Sequence, residues 1–308
     1  MIPISTDQSI FSRCAEMIAR SSGLLIAAGA GMGVDSGLAD FRGAEGLWRA
    51  YPPLRQAGLR FEEIANPRAF TQDPGLAWGF YGHRLQRYRE ASPHHGFTIL
   101  REIAARLPNG AFVFTSNVDG HFQKAGFADE SIYEVHGSIH YMQCATPCSN
   151  RIWPADGFEP VVDASACRLA PPWPCCPDCG ELARPNILMF GDWNWQHWRT
   201  SRQEARFTAW LKAASNPVVI ELGAGKSVAT IRMMSERSGF PIIRINLRDP
   251  EVPAPNHIGV PMGALAALEG IRAALAETGA FRQPPKTPDS ALRSLARIFH
   301  GISTAGAQ

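Results

Sequence analysis

The sequence predicts an α/β fold in which a doubly wound, Rossmann-like parallel sheet carries a smaller inserted domain, part helical and part zinc-binding. Three observations predict this fold. Short apolar runs alternate with amphipathic helical patterns, the first apolar run enters a glycine turn, and a segment rich in cysteine and proline interrupts the alternation. Strands that alternate with helices in this way are typical of a doubly wound parallel sheet.

The composition is that of a folded globular protein. The chain has 308 residues, 45% of them hydrophobic, which is enough for one large domain or two modest ones. Its 30 basic and 28 acidic residues give a formal charge of +2 without a long run of either sign, so we expect neither a nucleic-acid partner nor a membrane partner. The N-terminal stretch has no apolar run of signal-peptide or transmembrane length, and we expect a cytoplasmic protein.

The first elements are a helix, a strand and a glycine turn. Residues 8–22 carry apolar side chains at helical spacing, and Gly23 is expected to end this helix. The apolar run LLIAA at 24–28 then passes into the turn 29–31, as a buried parallel strand does where it approaches a nucleotide.

The rest of the chain continues the alternation, with two interruptions. Further strands are expected at 111–116, 216–223 and 241–247, with helices at 95–106 and 227–238 between them. The domain assignment follows from these patterns: a Rossmann-like domain at 1–43, 94–139 and 184–280; a helical insert at 44–93; a zinc-binding module at 140–183; and a tail at 281–308 with a short helix at 291–299.

The glycine turn after the first strand allows a phosphate to approach the backbone. Gly29, Gly31 and Gly33 place no Cβ between the backbone N–H groups and an anion, and a helix that starts there would add favourable charge. The usual dinucleotide spacing needs glycine at 34, where this chain has Val34, so the pattern of an ordinary dehydrogenase is absent. A purely structural strand-to-helix turn is the alternative.

The longer segment GAGMGVDSGLADFRG at 29–43 resembles the cofactor loop of the sirtuin family. The matching residues are Gly29, Ala30, Gly31, Ser36, Gly37, Asp40, Phe41, Arg42 and Gly43. Further matches follow in the family's order: TSNVDGHFQKAG at 115–126, EVHGS at 134–138, a cysteine quartet, RPNILMFGD at 184–192, a glycine strand end at 223–225 and RIN at 244–246. Several motifs in the same order are far harder to reach by chance than one.

The resemblance implies an NAD-dependent enzyme that removes acyl groups from lysine in a protein or peptide. The acyl group would be acetyl or an acidic acyl such as succinyl, and the products would include nicotinamide and O-acyl-ADP-ribose. The residues implied to contact NAD are Gly29, Ala30, Gly31, Asp40, Phe41, Arg42, Ser116, Asn117, Asp119, Gly223, Gly225 and Asn246. Those implied in catalysis are His136, Asn117, Asp119 and Arg42.

Each of the catalytic positions has a role that suits its chemistry. His136 resembles the family's general base, because a group that takes a proton from a ribose hydroxyl must titrate near neutrality. Asn117 and Asp119 would hold the nicotinamide amide and its ribose. Arg42 would position the ribose or the phosphates, and Phe41 would screen the reacting face from water as 36–49 closes.

The chain departs from the family at two cofactor positions. Ser116 stands where sirtuins usually have glutamine. The late glycine turn reads ELGAGKS at 221–227, where the family has GTS followed by an apolar residue. Ser227 is therefore a candidate to replace the missing hydroxyls.

Four of the seven cysteines form two knuckles. Cys144 and Cys148 are spaced C-x-x-x-C, and Cys176 and Cys179 are spaced C-P-x-C, so four thiolates can surround one Zn²⁺. Cys175 adjoins the second pair and leaves the identity of one ligand open. A tetrathiolate zinc has no open coordination position, so we expect one structural ion.

Two segments resemble the substrate contacts of sirtuins. Met189, Phe190 and Gly191 lie in the segment that pairs in β-fashion with the substrate backbone, whose main-chain hydrogen bonds are largely independent of peptide sequence. Tyr81 and Arg84 match the F-Y-x-x-R of sirtuins that accept succinyl-type groups, since an arginine can hold a carboxylate by two hydrogen bonds. The alternative for Arg84 is a surface arginine beside a packed tyrosine.

Two other functions are compatible with the same NAD site. One is mono-ADP-ribosyl transfer to a protein or plain NAD hydrolysis, neither of which needs acyl-lysine. The other is a non-catalytic sensor of NAD or ADP-ribose. The presence of His136 favours deacylation.

Overall fold

The computed structural model describes residues 6–40 and 43–279. The strands are β1 (Gly23–Ala28), β2 (Ala111–Thr115), β3 (Ile132–Glu134), β4 (Gly137–Cys144), β5 (Ile152–Pro154), β6 (Val162–Asp163), β7 (Arg168–Leu169), β8 (Ala183–Ile187), β9 (Pro217–Leu222), β10 (Ile242–Ile245) and β11 (Ile258–Val260). The α-helices are α1 (Thr6–Ala19), α2 (Gly43–Ala50), α3 (Pro52–Gln56), α4 (Phe61–Ile64), α5 (Pro67–Gln72), α6 (Pro74–Glu90), α7 (His95–Ala104), α8 (His121–Lys124), α9 (Trp198–Ala213), α10 (Thr230–Arg237) and α11 (Ala264–Glu277). Short 3₁₀ helices cover Ala30–Ser36 and Asp129–Ser131.

The main sheet has six strands in the order β11-β10-β9-β1-β2-β3. All of its pairings are parallel. The chain builds outward from β1 through β2 to β3, and then returns to the other side of β1 with β9. This reversal lies between β1 and β9, and ligands of doubly wound sheets bind outside the carboxyl ends of the strands at such a point. The predicted α/β fold is confirmed.

Alternate side chains of β1 enter two different cores. Leu24, Ile26 and Ala28 pack in one cluster with side chains of α1, α7 and α11. Leu25 and Ala27 pack in another with side chains of α9 and α10. The continuous apolar run of β1 therefore reflects burial on both faces of the sheet.

The helical insert, α2 to α6, shares a single core with the small sheet formed by β5, β4 and β8. Trp78 and Phe80 of α6 pack in one cluster with Met142 of β4 and Ile187 of β8. The Trp78 indole N–H also donates to the Ala183 carbonyl at 3.0 Å. The order β5-β4-β8 leaves β8 at an edge of this antiparallel sheet.

Several boundaries differ from the sequence prediction. Gly23 does not end the first helix, which ends at Ala19; it begins β1 and pairs with Pro217, and a Cβ there would lie 3.0 Å from the Trp210 ring. The helix after the first glycine turn is only a short 3₁₀ helix at Ala30–Ser36.

Further differences concern the later part of the chain. The helix expected at 227–238 begins at Thr230. The tail at 281–308, with its expected helix at 291–299, lies outside the described residues. Within 6–40 and 43–279, no helix combines the length and apolarity needed to cross a membrane.

Candidate active site

A cavity of about 740 Å³ lies between the carboxyl ends of the parallel strands and the small domain, which is the unit formed by helices α2 to α6 and the sheet β5-β4-β8. Its size is within the usual range for cofactor and ligand sites. Predicted site residues that line it are Gly29, Ala30, Asp40, Tyr81, Arg84, Ser116, Asn117, Asp119, His136, Met189, Phe190, Gly223 and Gly225. Residues distant in the sequence thus meet at one place.

The two glycine turns of the sheet form one wall of this cavity. The Gly31 amide donates to the Gly223 carbonyl at 3.1 Å. Gly223 has φ +59°, and a Cβ there would lie 2.4 Å from the Gly31 Cα, so a side chain at 223 would force the turns apart. A Cβ at Gly225 would meet nothing within 4 Å, because open space lies beside it. The glycines therefore let a ligand reach the backbone, as a dinucleotide requires.

The loop after β2 is tied to the first glycine turn. The Asn117 side-chain amide donates to the Gly29 carbonyl at 3.0 Å, and its backbone amide donates to Thr115 Oγ1 at 3.0 Å. Thr115 Oγ1 in turn donates to the Ala28 carbonyl at 2.9 Å. These bonds hold Asn117 at the strand ends in a fixed orientation.

Asp119 lies buried at the inner end of the same loop. Its Oδ1 accepts a hydrogen bond from the His121 amide at 2.9 Å. Burial raises the pKa of Asp119 to about 6, an effect that the His121 amide reduces and the nearby Glu134 increases. His140 Nε2 lies 2.8 Å from the Asp119 backbone carbonyl and fixes the loop from the side of β4. The carboxyl therefore titrates close to neutrality, as groups at functional sites often do.

His136 occupies the junction between the two sheets, after β3 and before β4. Burial lowers the pKa of His136 below 6.5, and a hydrogen bond to the Ser116 backbone opposes part of that decrease. Its Nε2 lies 3.4 Å from Thr230 Oγ1, and its backbone carbonyl accepts from the Leu188 amide at 2.9 Å. The imidazole is thus neutral at pH 7 and able to accept a proton.

The residues on either side of His136 are fixed by packing and by charge. Glu134 is 1% exposed, and it accepts from Arg199 at 2.5 Å and from Gln203 at 3.1 Å, both on α9. Gly137 has φ +78°, and a Cβ there would lie 2.1 Å from the Asn186 carbonyl oxygen. Only glycine can therefore follow His136 in this arrangement.

The side of the cavity opposite the sheet holds an arginine surrounded by aromatic rings. Arg84 Nε and Nη2 donate to the Tyr88 hydroxyl at 3.1 and 2.8 Å. The guanidinium carbon lies 5.2 to 5.7 Å from the ring centres of Phe80, Tyr81 and Tyr88. Arg84 is only 9% exposed, so it is not the surface arginine of the alternative interpretation.

Met189 and Phe190 follow β8 along the rim of the cavity. The Phe190 amide donates to the Ala65 carbonyl at 2.9 Å, and the Phe190 ring packs edge-on against Phe61. Asp192, directly after this segment, forms a buried ion pair with Arg184 at 2.8 Å. The segment is thus held beside the cavity mouth and turns at Phe190 and Gly191, and Gly191 lies just outside the lining.

Other predicted residues lie away from the lining or outside the described chain. Gly31 is behind the wall, with its amide engaged by Gly223. Asn246 is buried: its side-chain amide donates to the Ala224 carbonyl at 2.8 Å, and its Oδ1 accepts from the amides of 248 and 249. It therefore orders the loop after β10 and does not face the cavity. Phe41 and Arg42 lie outside the described residues.

Several lining residues were missed by sequence reasoning, among them Arg60, Tyr88, Val118, Lys226, Val228 and Asp249. Val118 lies within TSNVDGHFQKAG and Lys226 within ELGAGKS, but the resemblance implies no role for either, and no local motif marks Arg60, Val228 or Asp249. Tyr88 was detectable in principle, because it lies one helical turn beyond Arg84 on α6.

The four predicted zinc ligands converge at the end of the small sheet. The sulfurs of Cys144, Cys148, Cys176 and Cys179 all lie within 4.8 Å of one another. Cys144 Sγ is 3.7 Å from Cys179 Sγ, and Cys148 Sγ is 3.6 Å from Cys176 Sγ. A tetrahedron with Zn–S bonds of ~2.3 Å has sulfurs about 3.8 Å apart, so the quartet fits a zinc ion. Cys175 is outside this group, with its sulfur 3.4 Å from the Trp173 carbonyl.

Comparison with known proteins gives one consistent family. The family model described as the Sir2 family matches residues 29–216. An NAD-dependent protein deacylase of Pyrococcus furiosus is 32% identical over 235 residues, which cover 75% of this chain and 84% of that protein. One of Thermus thermophilus is 31% identical over 270 residues, which cover 85% of this chain and 90% of the relative.

Solved structures agree with these relatives. A complex of a Sir2 homologue with NAD superposes with a TM-score of 0.64 at 26% identity, covering 86% of this chain and 94% of the other. A complex of a mutant Sir2 homologue with ADP-ribose gives a TM-score of 0.66 at 25% identity, covering 88% and 99%.

Proposed function

This chain belongs to the Sir2 family, and on that premise we propose that it removes acyl groups from protein lysine in an NAD-dependent reaction. One observation supports the proposal above the others. The glycine turns, the Asn117–Asp119 loop and His136 line the same cavity as Arg84 and the segment that follows β8. A cofactor and an acyl-lysine could therefore meet at one point.

The residues of the cavity divide between the two ligands. NAD, when bound, supplies the sugar carbon from which nicotinamide is displaced. The glycine turns would admit its phosphates, and Asn117 and Asp119 would hold its nicotinamide end. His136 would take a proton from a ribose hydroxyl, which its depressed pKa allows at neutral pH. Met189 and Phe190 would lie against the substrate backbone.

The products distinguish this function from the two rivals. We expect nicotinamide, deacylated peptide and O-acyl-ADP-ribose in equal amounts when the protein is incubated with NAD and an acyl-lysine peptide. Mass spectrometry of the mixture measures all three. ADP-ribosylated peptide would indicate transfer, free ADP-ribose without deacylated lysine would indicate hydrolysis, and tight NAD binding without nicotinamide release would indicate a sensor.

The environment of Arg84 supports an acidic acyl group as the finer substrate. The Tyr88 hydroxyl and the surrounding rings hold the guanidinium in the cavity wall, where it can meet a carboxylate at the end of a short acyl chain. A charge-assisted pair in such a place contributes about 1.5 to 3 kcal/mol, which corresponds to roughly 10- to 150-fold in affinity.

Replacement of Arg84 tests this specificity. We expect the wild type to prefer succinyl-lysine to acetyl-lysine, and Arg84→Met to lose at least about tenfold in kcat/KM for succinyl while acetyl changes little. Arg87→Met, on the exposed side of the same helix, is the matched control. Equal losses for both peptides in Arg84→Met, or a wild type that prefers acetyl, would contradict the acidic acyl group and leave deacylation itself intact.

A further inference from the structure

The wall made by the two glycine turns carries little charge of its own. Its cavity-facing members are Gly29, Ala30, Gly223 and Gly225, which have no polar side chain. The Gly31 amide is engaged by the Gly223 carbonyl and is not free for a ligand. The pyrophosphate of NAD has two negative charges, and burying them beside such a wall is costly unless a cation is near.

Lys226 directly follows this wall and lines the same cavity. Its Nζ lies 2.8 Å from Asp249 Oδ1 and 3.5 Å from Glu251 Oε2, and its side chain is 58% exposed. The ion pair joins the loop after β9 to the loop after β10. Exposed ion pairs of this kind contribute little to stability, so the lysine can exchange its partner at small cost.

The acidic loop is held in place independently of Lys226. The side chain of Asn246 binds the amides of 248 and 249, and the Arg232 guanidinium donates to the Asp249 carbonyl. Arg244 Nη1 donates to the Glu251 carbonyl at 2.5 Å. Loss of the lysine would therefore leave the loop ordered.

The other described cations of the lining lie on the opposite side. Arg60 directly precedes α4 and Arg84 lies on α6, both in the helical insert. Among the described lysines and arginines of the lining, Lys226 is the one that the parallel sheet contributes. Its long, flexible stem lets the ammonium follow a phosphate oxygen in a way that a short polar side chain cannot.

We propose that Lys226 is a ligand of the NAD pyrophosphate and that Asp249 holds the lysine until the cofactor arrives. The inference rests on the proposed NAD-dependent function. On binding, the ammonium exchanges a carboxylate oxygen for a phosphate oxygen. This contact adds to whatever the neighbouring Ser227 contributes, since Ser227 also lines the cavity.

Calorimetry with two ligands tests the assignment without turnover. ADP-ribose contains the pyrophosphate, whereas adenosine does not. We expect Lys226→Met to weaken ADP-ribose binding about tenfold and to leave adenosine binding unchanged, while Lys226→Arg retains most of the affinity. Added salt should weaken ADP-ribose binding less in Lys226→Met than in the wild type, because one charge contact is gone. Lys212→Met, an exposed lysine at the end of α9, is the control.

The possible results distinguish a wrong role for Lys226 from a wrong NAD-dependent function. ADP-ribose binding within twofold of the wild type in Lys226→Met would overturn the role of Lys226. Equal weakening of ADP-ribose and adenosine would also overturn it, because the residue would then shape the site and not bind phosphate. A wild type that binds no ADP-ribose would instead contradict the proposed NAD-dependent function. Circular dichroism of both lysine variants verifies that they fold.

Discussion

His136 combines three properties that a general base needs. It faces the cavity, and its buried surroundings favour the neutral imidazole at pH 7. Its backbone is fixed by two hydrogen bonds: the Val135 amide donates to the Thr115 carbonyl, and the Leu188 amide donates to the His136 carbonyl. A histidine held in this way can accept a proton without reorganisation of the chain.

Replacement of His136 by alanine should reduce deacylation by at least ~10²-fold, the scale of a lost general base. ADP-ribose affinity should change little, because the glycine turns and the Asn117 loop remain. Steady-state kinetics and calorimetry measure the two effects. A variant that keeps most of its activity would show that another group accepts the proton.

The pH dependence of the wild type should follow the same histidine. As pH falls, the imidazole becomes protonated and can no longer accept a proton, so kcat/KM decreases. Burial lowers the pKa of His136 below 6.5, and Asp119 titrates at about 6, so the decrease should begin below neutrality and involve more than one proton. A profile of kcat/KM between pH 5 and 8 would contradict this assignment if half of the activity were already lost above pH 7.

Asp119 should be costly to the stability of the fold. Its pKa is about 6 in the folded protein against an ordinary value of 3.8, so the folded state prefers the protonated carboxyl. The stability that this proton contributes is complete below about pH 4 and is lost as pH rises towards 6. Asparagine cannot ionise and can still accept from the His121 amide.

We therefore expect Asp119→Asn to raise the free energy of unfolding at pH 7 by about 1 to 3 kcal/mol while it reduces activity. Urea unfolding at pH 4 and pH 7 measures the effect, which should vanish at the lower pH. Asp156→Asn, an exposed aspartate, is the control. Unchanged or lower stability at pH 7 would mean that the buried carboxylate is better compensated than its surroundings indicate.

At the scale of elements, the central strands could be predicted because they are apolar on both faces. The expected strands at 24–28 and 111–116 correspond to Gly23–Ala28 and Ala111–Thr115. The three-residue strands β3 and β11 could not be predicted, because so short a run has no recognisable period and is defined by its neighbour in the sheet. The first helix was expected to continue to Gly23 but ends at Ala19, because Gly23 begins β1, where a side chain would collide with the Trp210 ring.

Zinc binding should stabilise the whole small domain. Cys144, one of the four ligands, ends β4, and the side chains of β4 and β8 share a core with those of α6. Cys176→Ser should remove the metal, lower the melting temperature and shift the fluorescence of buried Trp78 to longer wavelength. Elemental analysis should find one zinc per chain in the wild type and in Cys175→Ser, the matched control. Loss of zinc from Cys175→Ser instead would assign the ligand to the neighbouring cysteine.

At the scale of the whole molecule, the site depends on contacts that no local segment specifies. Motifs in the sequence predicted His136, Asn117 and both glycine turns, because each follows a strand whose end faces the crevice. Arg60 and Asp249 could not be predicted as lining residues, because their places follow from how the insert and the loop after β10 fold over the sheet. Asn246 is the opposite case. It matches a motif whose residue is implied to contact NAD, yet its side chain binds backbone groups of neighbouring loops and lies away from the cavity lining.

The central claim is that the cofactor and the acyl-lysine meet in this one cavity, between the parallel sheet and the small domain. A crystal structure of His136→Ala with NAD and an acyl-lysine peptide tests it most directly. The expected result is a peptide beside Met189, with its acyl oxygen within about 3.5 Å of the sugar carbon that bears nicotinamide. A peptide bound on another surface, or a nicotinamide end remote from Asn117 and Asp119, would contradict the account.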